Sequence, residues 1–195
     1  MLNVRYGWLA DIGLGIRYET RMDLTTQIVR AFPSALEERA KRAANALTGA
    51  RLSPGSFSAT VNGERIIIPQ RLYIPAPHIS MKVDGVTAAI VSRHDDGFVR
   101  ERAVQRLLAE QGEWVVPFLM RLIGEYVIEI IDRIDASFDS LDHVAWRTFM
   151  IANPGFVAVT DAQVMSYWNC YHRRVSRTDY RGFRVMGKLR ALMST

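Results

Sequence analysis

A single cysteine, Cys170, stands among 195 residues. One thiol cannot form an internal bridge, so disulfide scaffolds and cysteine-cluster zinc sites are excluded. Lysine is almost missing as well: Lys41, Lys82 and Lys188 stand against 22 arginines. No apolar run is free of charge for the length of a bilayer. The longest, over 114–134, is interrupted by Arg121, Glu125, Glu129 and Asp132, which argues against a membrane span and for a protein without membrane contact. Arg5, Asp11 and Arg17 break the N-terminal apolar stretches before signal-peptide length. A reduced, cytoplasmic setting is therefore expected. Catalytic signatures are also lacking: there is no Gly-x-Ser-x-Gly elbow, Walker loop, zincin motif or finger spacing. Gly13 and Gly15 open a Gly-x-Gly pair with no third glycine. No internal repeat or low-complexity tract is present.

What is there is ordinary in bulk and uneven in charge. The hydrophobic share is 49% and the charged share 23%, and a chain of this length buries roughly 70% of its unfolded surface without a covalent staple. The net charge is +5. Residues 1–97 hold 12 basic and 9 acidic side chains, 98–159 hold 6 and 9, and 160–195 hold 7 and 2. The excess thus belongs to the last segment. Arginine forks suit phosphate and carboxylate, although a GC-rich coding bias produces the same composition.

Periodicity predicts an α+β fold. A helix is expected from Asp23 to Pro33, and a second from Ser34, with Ser34 and Glu37 as a capping box and Gly49 as its stop. Two hairpins are expected within 57–91. The first turns at Asn62-Gly63, the strongest short hairpin signal, and the second at Asp84-Gly85. Residues 86–92 contain two alanines and read as strand or helix. From residue 97 the chain reads as helical, around a central helix over 114–134, with a last helix capped by Thr160 and Gln163. Residues 1–175 are expected to form one globular domain and 176–195 a basic C-terminal tail.

Four places carry chemistry. The loop Arg93-His94-Asp95-Asp96-Gly97 puts an imidazole beside two carboxylates, a set suited to a divalent metal or to acid/base work; its structural reading is a helix N-cap. The His94-Asp95 doublet resembles that of HD-type metal phosphohydrolases, a likeness confined to the doublet. It implies an upstream His, for which His78 is available, and a downstream Asp from among Asp132, Asp135 and Asp139. Second, Arg121, Glu125, Glu129 and Asp132 follow helical spacing on one face. That face is solvated, or ion-paired with Arg100, Arg102, Arg106 or Arg147, or part of a cleft in which Glu125 and Glu129 meet His94.

Third, Asp95 with Val99, Arg100, Ala103, Leu107 and Leu108 resembles the second helix of a HEAT repeat. The resemblance implies that Val99, Ala103 and Leu107 pack inward and Arg100 bonds the acidic loop, though no second copy is visible. Fourth, Tyr167, Trp168, Tyr171 and His172 precede Arg173, Arg174, Arg177, Arg181, Arg184, Lys188 and Arg190. Cations interleaved with aromatics neutralise phosphates and stack bases, or suit an acidic protein surface. The alternative is structural: Val164, Trp168, Tyr171 and Val175 follow core spacing, and Cys170 between them reads as a buried, inert thiol.

The leading expectation is a binding or scaffold module, without cofactor, that contacts an anionic partner through this C-terminal region. The partner is a protein or a nucleic acid. The acidic segment 98–159 and the basic segment 160–195 are expected to meet, within one molecule or between two copies of a homo-oligomer. The alternative is a metal-assisted hydrolase that uses His94, Asp95 and Asp96 as ligands of a divalent metal, with Glu125 and Glu129 in support.

Overall fold

A computed structural model describes residues 22–76 and 83–194. The Gly13/Gly15 pair, His78 and most of the strand expected before Asp84 lie outside the described residues. The architecture is α+β, with a small antiparallel β part and a helical C-terminal half.

Asp23 caps α1 (Leu24–Val29) by accepting from the Thr26 N–H at 2.8 Å. A 3-10 turn, Ser34–Leu36, leads into α2 (Glu37–Ala46). The Ser34–Glu37 capping box does not form. The Ser34 backbone N–H and hydroxyl instead bond Glu64 at 2.9 and 3.0 Å, tying this turn to the hairpin.

The hairpin of β2 (Ser56–Val61) and β3 (Glu64–Pro69) turns at Asn62-Gly63. Both turn residues have positive φ, 51° and 78°, as a type I′ turn requires. Ala59, Val61, Ile66 and Ile68 face the core. The other antiparallel pair encloses this hairpin: β1 (Arg51–Leu52) joins β4 (Leu72–Tyr73).

Residues 85–91 form helix α3 (Gly85–Val91), which corrects the returning strand expected there. Asp84 is extended and its carboxylate accepts from the Thr87 N–H at 2.9 Å, so Asp-Gly acts as a helix start. All seven residues of α3 are buried. A segment apolar on every side loses the periodicity that separates helix from strand. Gly85 packs closely against Glu110, whose side chain would have to shift to admit a Cβ there.

Helix α4 (Gly97–Leu107) packs against α3, capped by Asp96, with Val99, Ala103 and Leu107 inward. The expected central helix over 114–134 is two helices, α5 (Val116–Ile123) and α6 (Ile128–Ala136). Gly124 ends the first, and Val127 is extended before the second. A Cβ at Gly124 would meet the Gln163 side chain, so the break lies where another helix comes closest.

Asp142 caps α7 (His143–Ala152), and Pro154 opens α8 (Pro154–Tyr171). The helix therefore starts six residues before Thr160, in keeping with proline's fitness for a first turn. Thr160 lies in the helix interior, its hydroxyl bonded back to the Phe156 carbonyl. Residues 176–194 are not the tail expected. They contain α9 (Arg181–Leu192), whose Val185, Met186 and Leu189 are fully buried against α6, α7 and α8.

Candidate functional site: an arginine-rich centre and an aromatic basic surface

Strand β4 brings the first site together. On one side it pairs with β1; on the other, Leu72 accepts from the Asp95 N–H at 3.1 Å and donates to the Arg93 carbonyl at 2.8 Å. This places Arg71 and Arg93 side by side. The α5–α6 turn delivers Glu125, and the first turn of α4 delivers Arg100.

Glu125 is 3% exposed and is the acidic centre of the cluster. Arg71 grips it with two bonds, at 2.8 and 3.0 Å. Arg93 approaches at 3.3 Å and Arg100 at 3.5 Å. Arg121 lies over the Phe57 ring, 3.8 Å from its centroid, and adds a fourth positive charge to the group. Burial raises the Glu125 carboxyl, but Arg93, Arg71 and Arg100 outweigh it and hold the group below its usual range. Burial pushes the Arg93 guanidinium down to about 9, with Arg71, Arg121 and Arg100 adding to the effect and Glu125 opposing it.

The structure brings Glu125 into an ion-paired network, one of the arrangements expected. Of the four partners anticipated, Arg100 takes part. Arg106 pairs with Glu110 instead, and Arg102 and Arg147 are exposed. Arg71 and Arg93 were missed. Arg93 had a signal, a charge directly after the apolar run of α3; Arg71 had none, because its place depends on long-range pairing of β4. Glu129 is exposed on α6 and does not share the buried face of Glu125, since the helix breaks between them.

His94 is 3% exposed, and both its ring nitrogens serve the fold. Nε2 lies 2.7 Å from the Ile74 carbonyl, and Nδ1 accepts from the Asp96 N–H at 2.9 Å. That pattern leaves neither nitrogen a free lone pair. The Asp96 carboxylate caps α4 through the Phe98 N–H, and Asp95 is exposed. Among the described residues no group of three His, Cys, Asp or Glu side chains comes together as a metal centre. His94, Asp95 and Asp96 therefore build a helix entry. Arg100 completes it by donating to the His94 and Asp95 carbonyls at 2.7 and 2.8 Å. The acidic loop is bonded as the HEAT-like pattern implied, through its backbone.

The C-terminal cations divide into two sets. Arg181 pairs with Asp132, Arg184 and Lys188 share Asp135, and Arg190 pairs with Asp161. The acidic and basic segments thus meet within one molecule, and these four cations hold α9 in place. Arg173, Arg174 and Arg177 lie in the α8–α9 connection and are exposed. Arg173 bonds the Asn169 side chain, and Arg177 lies 4.8 Å from the Trp168 ring centroid.

Of the residues at core spacing, Trp168 packs against the core, while Tyr171 and Val175 are more exposed than that spacing predicts. Val164 is buried, but Tyr171 is 68% exposed and Val175 40%. Cys170 is exposed too, which corrects the expected buried thiol. At the end of α8 one side still packs, with Trp168 against Phe183 and His172 against Tyr180, while Tyr171 faces outward. Tyr167 and Tyr171 stack at 6.0 Å with an interplanar angle of 24°, and Tyr126 leans on both at 5.9 and 6.3 Å. Arg100 lies 5.7 Å from the Tyr126 ring, linking this surface to the buried centre.

No family model, no curated protein and no solved structure matches the chain. No helix among the described residues is long and apolar enough to cross a membrane.

Proposed function

We infer that the protein is a binding or scaffold module whose surface at the end of α8 contacts an anionic partner, a protein or a nucleic acid. The observation that carries this reading is the sorting of the C-terminal cations. Four are spent on carboxylates of the same chain, while Arg173, Arg174 and Arg177 remain exposed just beyond the end of α8, the helix whose last turns carry the stacked Tyr167 and Tyr171 rings. Cations can neutralise phosphates or acidic side chains, and exposed rings offer stacking faces. The stacked Tyr167–Tyr171 pair favours a single-stranded nucleic acid over an acidic protein, because unpaired bases extend such a stack.

Fluorescence anisotropy with a single-stranded oligonucleotide and with an acidic peptide tests the reading. Binding of either, weakened by Tyr171→Ala and abolished by combined reversal of Arg173, Arg174 and Arg177 to Glu, supports it. Failure of both probes counts against it.

A further inference from the structure

The centre at Glu125 is not charge-matched, whereas at other clusters of the fold acids and bases meet in small balanced groups. Lys41 has Glu37 and Glu38, Asp135 has Arg184 and Lys188, and Glu110 has Arg39 and Arg106. Around Glu125 three guanidiniums contact one carboxylate and Arg121 adds a fourth charge nearby, and three of the four are almost sealed from solvent: Arg93 at 0%, Arg100 at 1% and Arg121 at 4% exposed. Six of their nitrogens are buried with no hydrogen-bond partner: Nε and Nη1 of Arg93, Nε and Nη2 of Arg100, and Nε and Nη1 of Arg121. Buried donors without partners and buried like charges are each destabilising, so such a set requires more negative charge than one carboxylate supplies.

We propose that the Arg71–Arg93–Arg100–Arg121 centre is a binding site for a phosphate-type oxyanion. A phosphate dianion brings two negative charges and several acceptor oxygens, which match guanidinium forks better than a second carboxylate would. The dianion would lower the excess of positive charge left after Glu125 from three to one. Of the four arginines, Arg71 is the one that reaches solvent, with 26% of its side chain exposed. Entry therefore runs past Arg71, and Tyr126 stands at the outer side against Arg100. The anion is a free phosphate or the phosphoryl group of a larger aromatic ester that also packs on Tyr126. The site needs none of Arg173, Arg174 and Arg177; only its ester form shares Tyr126 with the α8 surface, and Arg71→Gln tells the two readings apart.

Isothermal titration of the wild-type protein with inorganic phosphate and with phenyl phosphate, in chloride buffer of matched ionic strength, tests this. The expected result is saturable binding of one anion per chain by at least one of the two. Arg71→Gln should weaken it about tenfold to a hundredfold, as loss of a charge-assisted bond implies. Tighter binding of phenyl phosphate, reduced in Tyr126→Ala, identifies an ester as the ligand; equal or weaker binding identifies free phosphate. Circular dichroism confirms that the variants are folded. Absence of saturable binding of both anions to the wild-type protein at millimolar concentration overturns the proposal, as does undiminished binding to folded Arg71→Gln protein.

Discussion

Arg71 and Glu125, 54 positions apart, are locked by two hydrogen bonds of 2.8 and 3.0 Å at the meeting point of β4 and the α5–α6 turn. The carboxylate is the one acidic group among four arginines in that centre. Its removal leaves buried cations facing one another. Glu125→Gln is expected to cost about 3–5 kcal/mol, the range for breaking a buried ion pair, measured by urea unfolding.

The same carboxylate sets an acid limit. Glu125 and Asp135 titrate below their ordinary values of 4.5 and 3.8. In both, burial works in the opposite direction and is outweighed: by Arg93, Arg71 and Arg100 for Glu125, and by Arg184 and Lys188 for Asp135. A depressed folded-state pKa gives stability that is complete above the unfolded value and lost as pH falls through the folded one. The urea midpoint of the wild-type protein is expected to fall as pH drops below about 4.5, and Glu125→Gln to show a shallower decline.

Helix α9 is part of the core, although its sequence looks like a tail. Leu189→Ala is expected to cost about 2–5 kcal/mol in thermal or urea unfolding. Deletion of residues 176–195 removes Tyr180, Val185, Met186 and Leu189 together and is expected to abolish cooperative unfolding. A deletion protein with an unchanged melting temperature would contradict this packing.

Asn153 does the work of a missing strand. Its Oδ1 accepts from the Thr60 N–H at 2.7 Å and its Nδ2 donates to the Thr60 carbonyl at 2.8 Å, so one side chain satisfies both backbone groups at the outer edge of β2. Asn153→Ala leaves these groups unpaired and is expected to cost about 1–3 kcal/mol. Faster amide exchange at Thr60 would locate the loss.

These residues mark what the sequence could and could not disclose. Asn62-Gly63 was legible because turn chemistry is local: two adjacent residues must accept positive φ. The N-caps at Asp23 and Asp96 sit at the helix starts read from the sequence for the same reason. Asp84-Gly85 was ambiguous because the same pair suits a hairpin turn and a helix start, and the buried surroundings of α3 erase the periodicity that would decide. The break at Gly124 was hidden because apolar residues recur on both sides of it and Arg121, Glu125, Glu129 and Asp132 keep helical spacing across it. At the arginine centre, Glu125 and Arg100 were visible as candidates, and Arg93 stood beside the loop singled out. Arg71 depended on how β4 pairs, which no local pattern encodes. In the C-terminal region the sequence showed cations and aromatics together, but only the fold separates Arg181, Arg184, Lys188 and Arg190, which hold α9, from Arg173, Arg174 and Arg177, which face outward.

That separation is the most direct point of attack on the binding reading. The measurement is the salt dependence of affinity for a single-stranded oligonucleotide and for an acidic peptide, in the wild-type protein and in the variant with Arg173, Arg174 and Arg177 changed to Glu. At least one probe is expected to bind the wild-type protein with an affinity that falls as salt rises. For the oligonucleotide, three neutralised phosphates account for about 2 in the slope of log affinity against log salt of the wild-type protein. The variant is expected to remain folded and to lose that binding, because its other C-terminal cations stay paired. Equal binding by the folded variant, or no binding of either probe by the wild-type protein, would contradict the account.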